Sequence, residues 1–290
     1  MSYELRGRSG TGTPNTPKLV AISDLHVRYA ENRALVEELR PESSADWLLV
    51  AGDVADLVSD FRWALGVLRS RFARVVWAPG NHDLWTLPAD PVQLRGEEKY
   101  LQLVEICRQL GVDTPEDPFP VWSSAAEPVV VAPLFVLYDY TFRPEGTASK
   151  AEALEVAKSA HVVGNDEKYL HPDPYPSLDA WCAARLKVTA ARLDAVPSSR
   201  RTVLVNHFPL TREPTRILRY PEFALWCGTE ATADWHLRYR AEAVVYGHLH
   251  IPRTISEDGV PFEEVSLGYP REWQPRSRVP GLPVQILPTD

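Results

Sequence analysis

The 290 residues include 31 basic and 39 acidic side chains, a net charge of −8, with 44% apolar residues. That balance suits a globular chain with a sizeable core and argues against a general nucleic-acid or anionic-membrane binder, whose partners demand clustered lysine and arginine. Cys107, Cys182 and Cys227 lie far apart without CxxC spacing, which argues against a disulfide framework or zinc knuckle and suits a reducing cytoplasm.

Residues 1–16 are polar, lack an apolar core and read as a disordered leader, leaving 17–290 as one domain. Leu19 to Ser23 reads as a buried strand, and a helix is expected over Glu31 to Arg40. Trp47 to Ala51 is a second strand. Ser59 to Phe72 has helical spacing with Ser59 or Asp60 near an N-cap position, and Arg74 to Ala78 is a third strand. This β-α-β-α-β order predicts an α/β fold with parallel strands and helices outside. Glu97 to Leu110 reads as a helix stopped by Gly111, followed by strands at Val129 to Val131 and Phe135 to Tyr138. Phe142 to Ser177 is rich in proline, glycine and charge, and reads as a lid-like insertion with one helix, Ser149 to Ser159. A helix over Leu178 to Leu193 and strands at Thr202 to Val205, Ala243 to Tyr246, Phe262 to Leu267 and Val284 to Leu287 complete the pattern.

Each early strand runs into a polar block: Asp24-Leu25-His26, Gly52-Asp53, and Gly80-Asn81-His82-Asp83. Later strands run into Asn206-His207 and Gly247-His248-Leu249-His250. Residues i and i+2 of a strand point to one side, so both imidazoles of the last block can face one point, and Gly247 permits close backbone approach. Ligands of open α/β sheets bind beyond the carboxyl ends of strands. Asp24, His26, Asp53, Asn81, His207, His248 and His250 therefore converge on one edge. Their oxygens and nitrogens, without thiolate, suit divalent Mn, Fe, Zn or Ni. Seven donors exceed the need of one catalytic ion and fit two ions sharing a carboxylate, with a water between them placed to attack phosphorus.

The ordered blocks DLH, GD, GNHD, NH and GHLH resemble the calcineurin-like metallophosphoesterases over roughly residues 18–270. The resemblance implies a four-layer α-β-β-α sandwich of two mixed sheets flanked by helices. It implies that Asp24, His26 and His250 hold one metal, that Asn81, His207 and His248 hold the other, and that Asp53 bridges them. His82 would bind the phosphoryl oxygen and protonate the leaving group. Asp83 either orients His82 or caps the following turn, and Asp56 is expected to be structural or to support the site. Asp56 also stands where purple acid phosphatases carry an iron-binding tyrosine, which argues against that branch and favours manganese, with Fe, Zn or Ni as alternatives. Leu134 to Tyr140 and His207-Phe208-Pro209, with Asn206 in place of a histidine, resemble the matching stretches of the bacterial cyclic-nucleotide-phosphodiesterase-like branch.

The expected activity is hydrolysis of a small organic phosphoester, a monoester ahead of a diester such as a cyclic nucleotide. A nuclease is disfavoured because the sequence shows no basic patch or nucleic-acid-capping domain, and a non-catalytic scaffold should have lost ligands or His82, whereas all are present. Arg143, Asn165, Lys168, Tyr169 and His171 of the insertion, with Arg212, Arg216, Arg219 and Trp226, are candidate substrate contacts. No nucleic-acid or membrane partner is expected, and oligomeric state is not legible.

Overall fold

The structure, a computed structural model, describes residues 16–124, 127–274 and 282–289. The leader therefore falls, but for Thr16, outside the described residues. Strands β1 (Leu19–Ile22), β2 (Trp47–Val50) and β3 (Arg74–Trp77) pair in parallel, and β10 (Val284–Leu287) closes this sheet antiparallel to β1. The second sheet runs β4 (Val121–Trp122), β5 (Val129–Pro133), β6 (Arg201–Val205), β7 (Ala241–Tyr246), β9 (Val260–Glu264), β8 (Arg253–Glu257). Its four central strands are parallel and its two edges antiparallel.

Strand alternation builds the layers. Leu19, Ala21, Leu49, Val76, Val131, Val203 and Val245 share one buried cluster between the sheets, whereas their neighbours Val20, Leu48, Val75, Leu204 and Val244 join the cluster under the helices. Two mixed sheets flanked by helices make the expected four-layer sandwich. Helix Lys150–Ser159 is capped by Ser149 and Leu178–Asp194 by Ser177, both through side-chain oxygens, and Gly96–Leu110 ends at left-handed Gly111. Neither Ser59 nor Asp60 caps Val58–Arg69; Asp90 Oδ2 accepts from Val58 N–H instead. Among the described residues, no helix is long and apolar enough to cross a membrane.

Phe135 to Tyr138 is buried but forms no strand. The Asn206 side chain serves as its ladder partner: Val136 N–H donates to Asn206 Oδ1 at 3.1 Å, and Asn206 Nδ2 donates to the Val136 carbonyl at 3.2 Å. Strands β4 and β8 lack an apolar run of their own and were not anticipated. Arg253–Glu257 alternates half-buried Arg253, Ile255 and Glu257 with exposed Thr254 and Ser256, as an edge strand permits.

Candidate metal centre

All eight predicted residues meet where β1, β2, β3, β6 and β7 end. His250 Nε2 lies 3.0 Å from Asp24 Oδ1 and 3.3 Å from His26 Nε2. His207 Nε2 lies 3.0 Å from Asn81 Oδ1 and 3.4 Å from Asp53 Oδ2, and Asp53 Oδ2 lies 4.0 Å from His26 Nε2. The Asp53 carboxylate thus sits between the two groups. His207 and His248 pack edge to face at 5.1 Å.

The backbone that aims these groups is unusual. Asp24 (φ 53°), His26 (40°), Asp53 (53°), His248 (70°) and His250 (55°) all occupy left-handed conformations, which cost a non-glycine residue roughly 1–2 kcal/mol each. His248 and His250 lie beyond the end of β7, so this turn, and not strand alternation, points both inward. Close approach does require Gly247 and Gly80. A Cβ on Gly247 would stand 2.2 Å from both Asp24 Oδ2 and Ser23 Oγ, and one on Gly80 would stand 2.1 Å from Asp53 Oδ1.

Supporting contacts fix which ring nitrogen faces the centre. His207 Nδ1–H donates to the Ala51 carbonyl at 2.8 Å, and His250 Nδ1–H to Glu272 at 2.7 Å, so Nε2 is the nitrogen each ring turns to the centre. Asp24 is held by the hydroxyls of Ser23 at 2.6 Å and Ser266 at 2.7 Å. His82 Nδ1–H donates to Asp56 at 2.7 Å, and Asp56 also accepts from Arg28 at 2.8 Å. Asp56 is therefore the group that orients His82. Asp83 instead accepts backbone N–H groups from Asp53, Val54, Ala55 and Gly80, tying two loops together.

The donor set fits cations. Nε2 of His207, His26 and His250 and Oδ1 of Asn81 crowd against carboxylates, and, among the described residues, buried His248 Nε2 and His26 Nδ1 find no partner. Three groups each offer ligand atoms close enough for one ion: Asp24, His26 and His250; Asp24, Asp53 and His207; and His26, Asp56 and His82. Burial resists charge on His207, yet Asp53 pushes its pKa up to about 9. Burial and neighbouring imidazoles pull His26 and His248 down to about 3. For His82, burial is outweighed by the Asp53 and Asp56 carboxylates, and its pKa rises. The carboxylates thus favour positive charge on His207 and His82, whereas His26 and His248 are held neutral.

Above the donors opens a cavity of about 280 Å³, lined by Trp85, Val163, Gly164, Asn165, Phe223, Trp226 and Tyr269 among others. Of the candidate contacts, Asn165 and Trp226 reach it. Arg212 donates to the Arg143 carbonyl, Arg216 pairs with Glu213 and His171 meets Arg95, all away from the lining. Asp166, Glu272, Tyr269, Ser23 and Ser266 were not anticipated. The Tyr269 ring stacks on His26 at 4.5 Å, with its hydroxyl 3.4 Å from His82 Nε2.

A family model for calcineurin-like phosphoesterases matches residues 17–252. The chain is 53% identical over 288 residues to the acyl-carrier-protein phosphodiesterase PptH of Mycobacterium tuberculosis, covering 99% of this chain and 88% of that protein. The crystal structure of phosphopantetheinyl hydrolase PptH from the same organism superposes with a TM-score of 0.93 at 54% identity, covering 96% of this chain and 98% of that one. The chain belongs to the calcineurin-like phosphoesterases and is a dinuclear metal-dependent phosphoesterase.

Proposed function

We propose that the protein hydrolyses a phosphodiester linking a phosphopantetheinyl group to an acyl carrier protein. The observation that carries this reading is the 53% identity, over 99% of the chain, to a protein named for acyl-carrier-protein phosphodiesterase activity. The cavity agrees with it. Its walls are aromatic, and among the described residues none that lines it is lysine or arginine. A singly charged diester suits that lining better than the dianionic monoester expected from the sequence.

In this reading Asp24, His26 and His250 would hold one divalent ion and Asn81, His207 and His248 the other, with the Asp53 carboxylate available to both. Manganese is the first expectation for such a thiolate-free set. When bound, the ions neutralise phosphoryl charge and make water acidic enough to ionise near neutral pH. With Nδ1 committed to Asp56, His82 keeps Nε2 for the leaving oxygen: water oxygen bonds to phosphorus, the bond to the carrier oxygen breaks, and the His82 proton completes the carrier hydroxyl. Trp85, tilted against His82 at 3.5 Å between ring centroids, limits rotation of the imidazole.

Intact-mass spectrometry of a phosphopantetheinylated carrier protein incubated with Mn²⁺-loaded enzyme tests the proposal. The carrier should lose the mass of the phosphopantetheinyl group, and His82→Ala should slow the loss by roughly 10²–10⁴-fold. An unchanged carrier, beside rapid hydrolysis of an aryl phosphate monoester, would restore the small-monoester expectation.

A further inference from the structure

We propose that Asp166, from the segment between the third and fourth motif blocks, is a positioning residue that decides which end of the Asn81 amide faces the metal centre. The inference rests on the reading above, in which Asn81 is a ligand. An asparagine amide has an acceptor end and a donor end of nearly the same shape, and only the oxygen can bind a cation. One oxygen of Asp166 accepts from Asn81 Nδ2–H at 2.9 Å and from Trp85 Nε1–H at 2.6 Å. The amide nitrogen is thereby held on the Asp166 side, and Asn81 Oδ1 is left 3.0 Å from His207 Nε2. Asp166 is 3% exposed, so water has little access to replace it.

Asp166 is itself held from several directions. Thr86 N–H donates to the Tyr169 carbonyl at 2.9 Å, at the end of the same helical turn (Asp166–Tyr169). The adjacent Glu167 accepts from Trp226 Nε1–H and from the Tyr140 hydroxyl, each at 2.9 Å. Two consecutive carboxylates thus grip both aromatic walls of the cavity. The segment expected to act as a lid works, in this inference, as a brace. Because Trp85 also packs on His82, the same Asp166 oxygen seats a neighbour of the proton donor.

Calorimetric titration of chelator-stripped, full-length protein with Mn²⁺ separates this role from a general effect on folding, which thermal melts of the stripped variants would register. Wild type should take up two ions. Asp166→Ala should bind one with unchanged affinity and the other roughly 10–100-fold more weakly, the loss typical when a ligand's outer partner is removed. Asp166→Asn, whose carbonyl oxygen can accept both bonds, should remain within about 3-fold of wild type by the same reasoning. In an Asn81→Ala background, Asp166→Ala should cause no further loss, because its only route to the ion has gone. Unchanged affinity in Asp166→Ala, or an equal loss in the Asn81→Ala background, would overturn the proposal while leaving the dimetal reading intact. A wild type that takes up fewer than two ions would overturn both.

Discussion

Replacing Asp56 by asparagine tests the proton-donor assignment more sharply than removing His82. Asp56 is 3% exposed and has two partners, His82 at 2.7 Å and Arg28 at 2.8 Å. The Arg28 side chain is 56% exposed, so losing its ion pair should cost only about 0–1 kcal/mol of stability. The bond to His82 is part-buried and charge-assisted, in the range of about 1.5–3 kcal/mol, against about 0.5–1.5 for a neutral replacement. An amide can also turn its NH₂ toward Nδ1, which moves the ring proton to Nε2 without the carboxylate that stabilises the charged ring. We expect kcat on alkyl phosphodiesters to fall roughly 10–100-fold, equivalent to about 1.4–2.7 kcal/mol in the barrier. A nitrophenolate leaves without being protonated, so on bis(4-nitrophenyl) phosphate the loss should stay within about 3-fold. Steady-state kinetics on the two substrate classes, with melting curves as the control for folding, decide the matter. Equal losses on good and poor leaving groups would refute the assignment and leave Asp56 a purely structural role.

Gly247→Ala should lower turnover on the order of 100-fold, because the new Cβ displaces the Asp24 carboxylate, and misplacement by ~1 Å is enough for such a loss; Mn²⁺ titration should show the accompanying fall in affinity. Chelation should lower the melting temperature by roughly 5–10 °C relative to protein at 100-fold excess of metal over Kd, since the ions bind only the folded state. Glu264→Gln should stabilise the chelated protein at pH 8 by up to ~3 kcal/mol and have little effect at pH 4.5. Burial and then the Asp24 charge push the Glu264 carboxyl from 4.5 up to about 7. A group raised in this way takes up protons on folding, so its stabilising contribution is present below its unfolded pKa and is lost as pH rises through 7. Urea titrations at the two pH values check it.

The short blocks at strand ends were legible because each is local: a strand and its donors lie within a few residues, with a glycine between them in three of the five. Their convergence followed from the sheet rule. What the sequence did not disclose is set by contacts across long separations. Asp166 reaches Asn81 from 85 positions away and Asn206 completes Val136 from 70, so an apolar run that looks like a strand is paired by a side chain. Asp56 and Asp83 were both visible, three and thirty residues from Asp53, yet nothing local tells which one meets the His82 ring. The left-handed turns at His248 and His250 were equally hidden, since His-Leu-His after an apolar run reads naturally as strand alternation.

The donors come from both sheets. Asp24, His26, Asp53 and Asn81 follow strands of the four-stranded sheet, and His207, His248 and His250 follow strands of the six-stranded one. Each proposed ion would therefore span the seam, and the spacing of the two sheets becomes a working dimension of the enzyme. The inner layer that fills this space mixes Leu19, Leu49 and several valines with four smaller residues, Ala21, Ala51, Ala78 and Ala243. A valine at one of these alanines would act as a shim, prising the halves of the centre apart from beneath without altering any donor. Drift in this layer should thus be policed by catalysis as well as by packing.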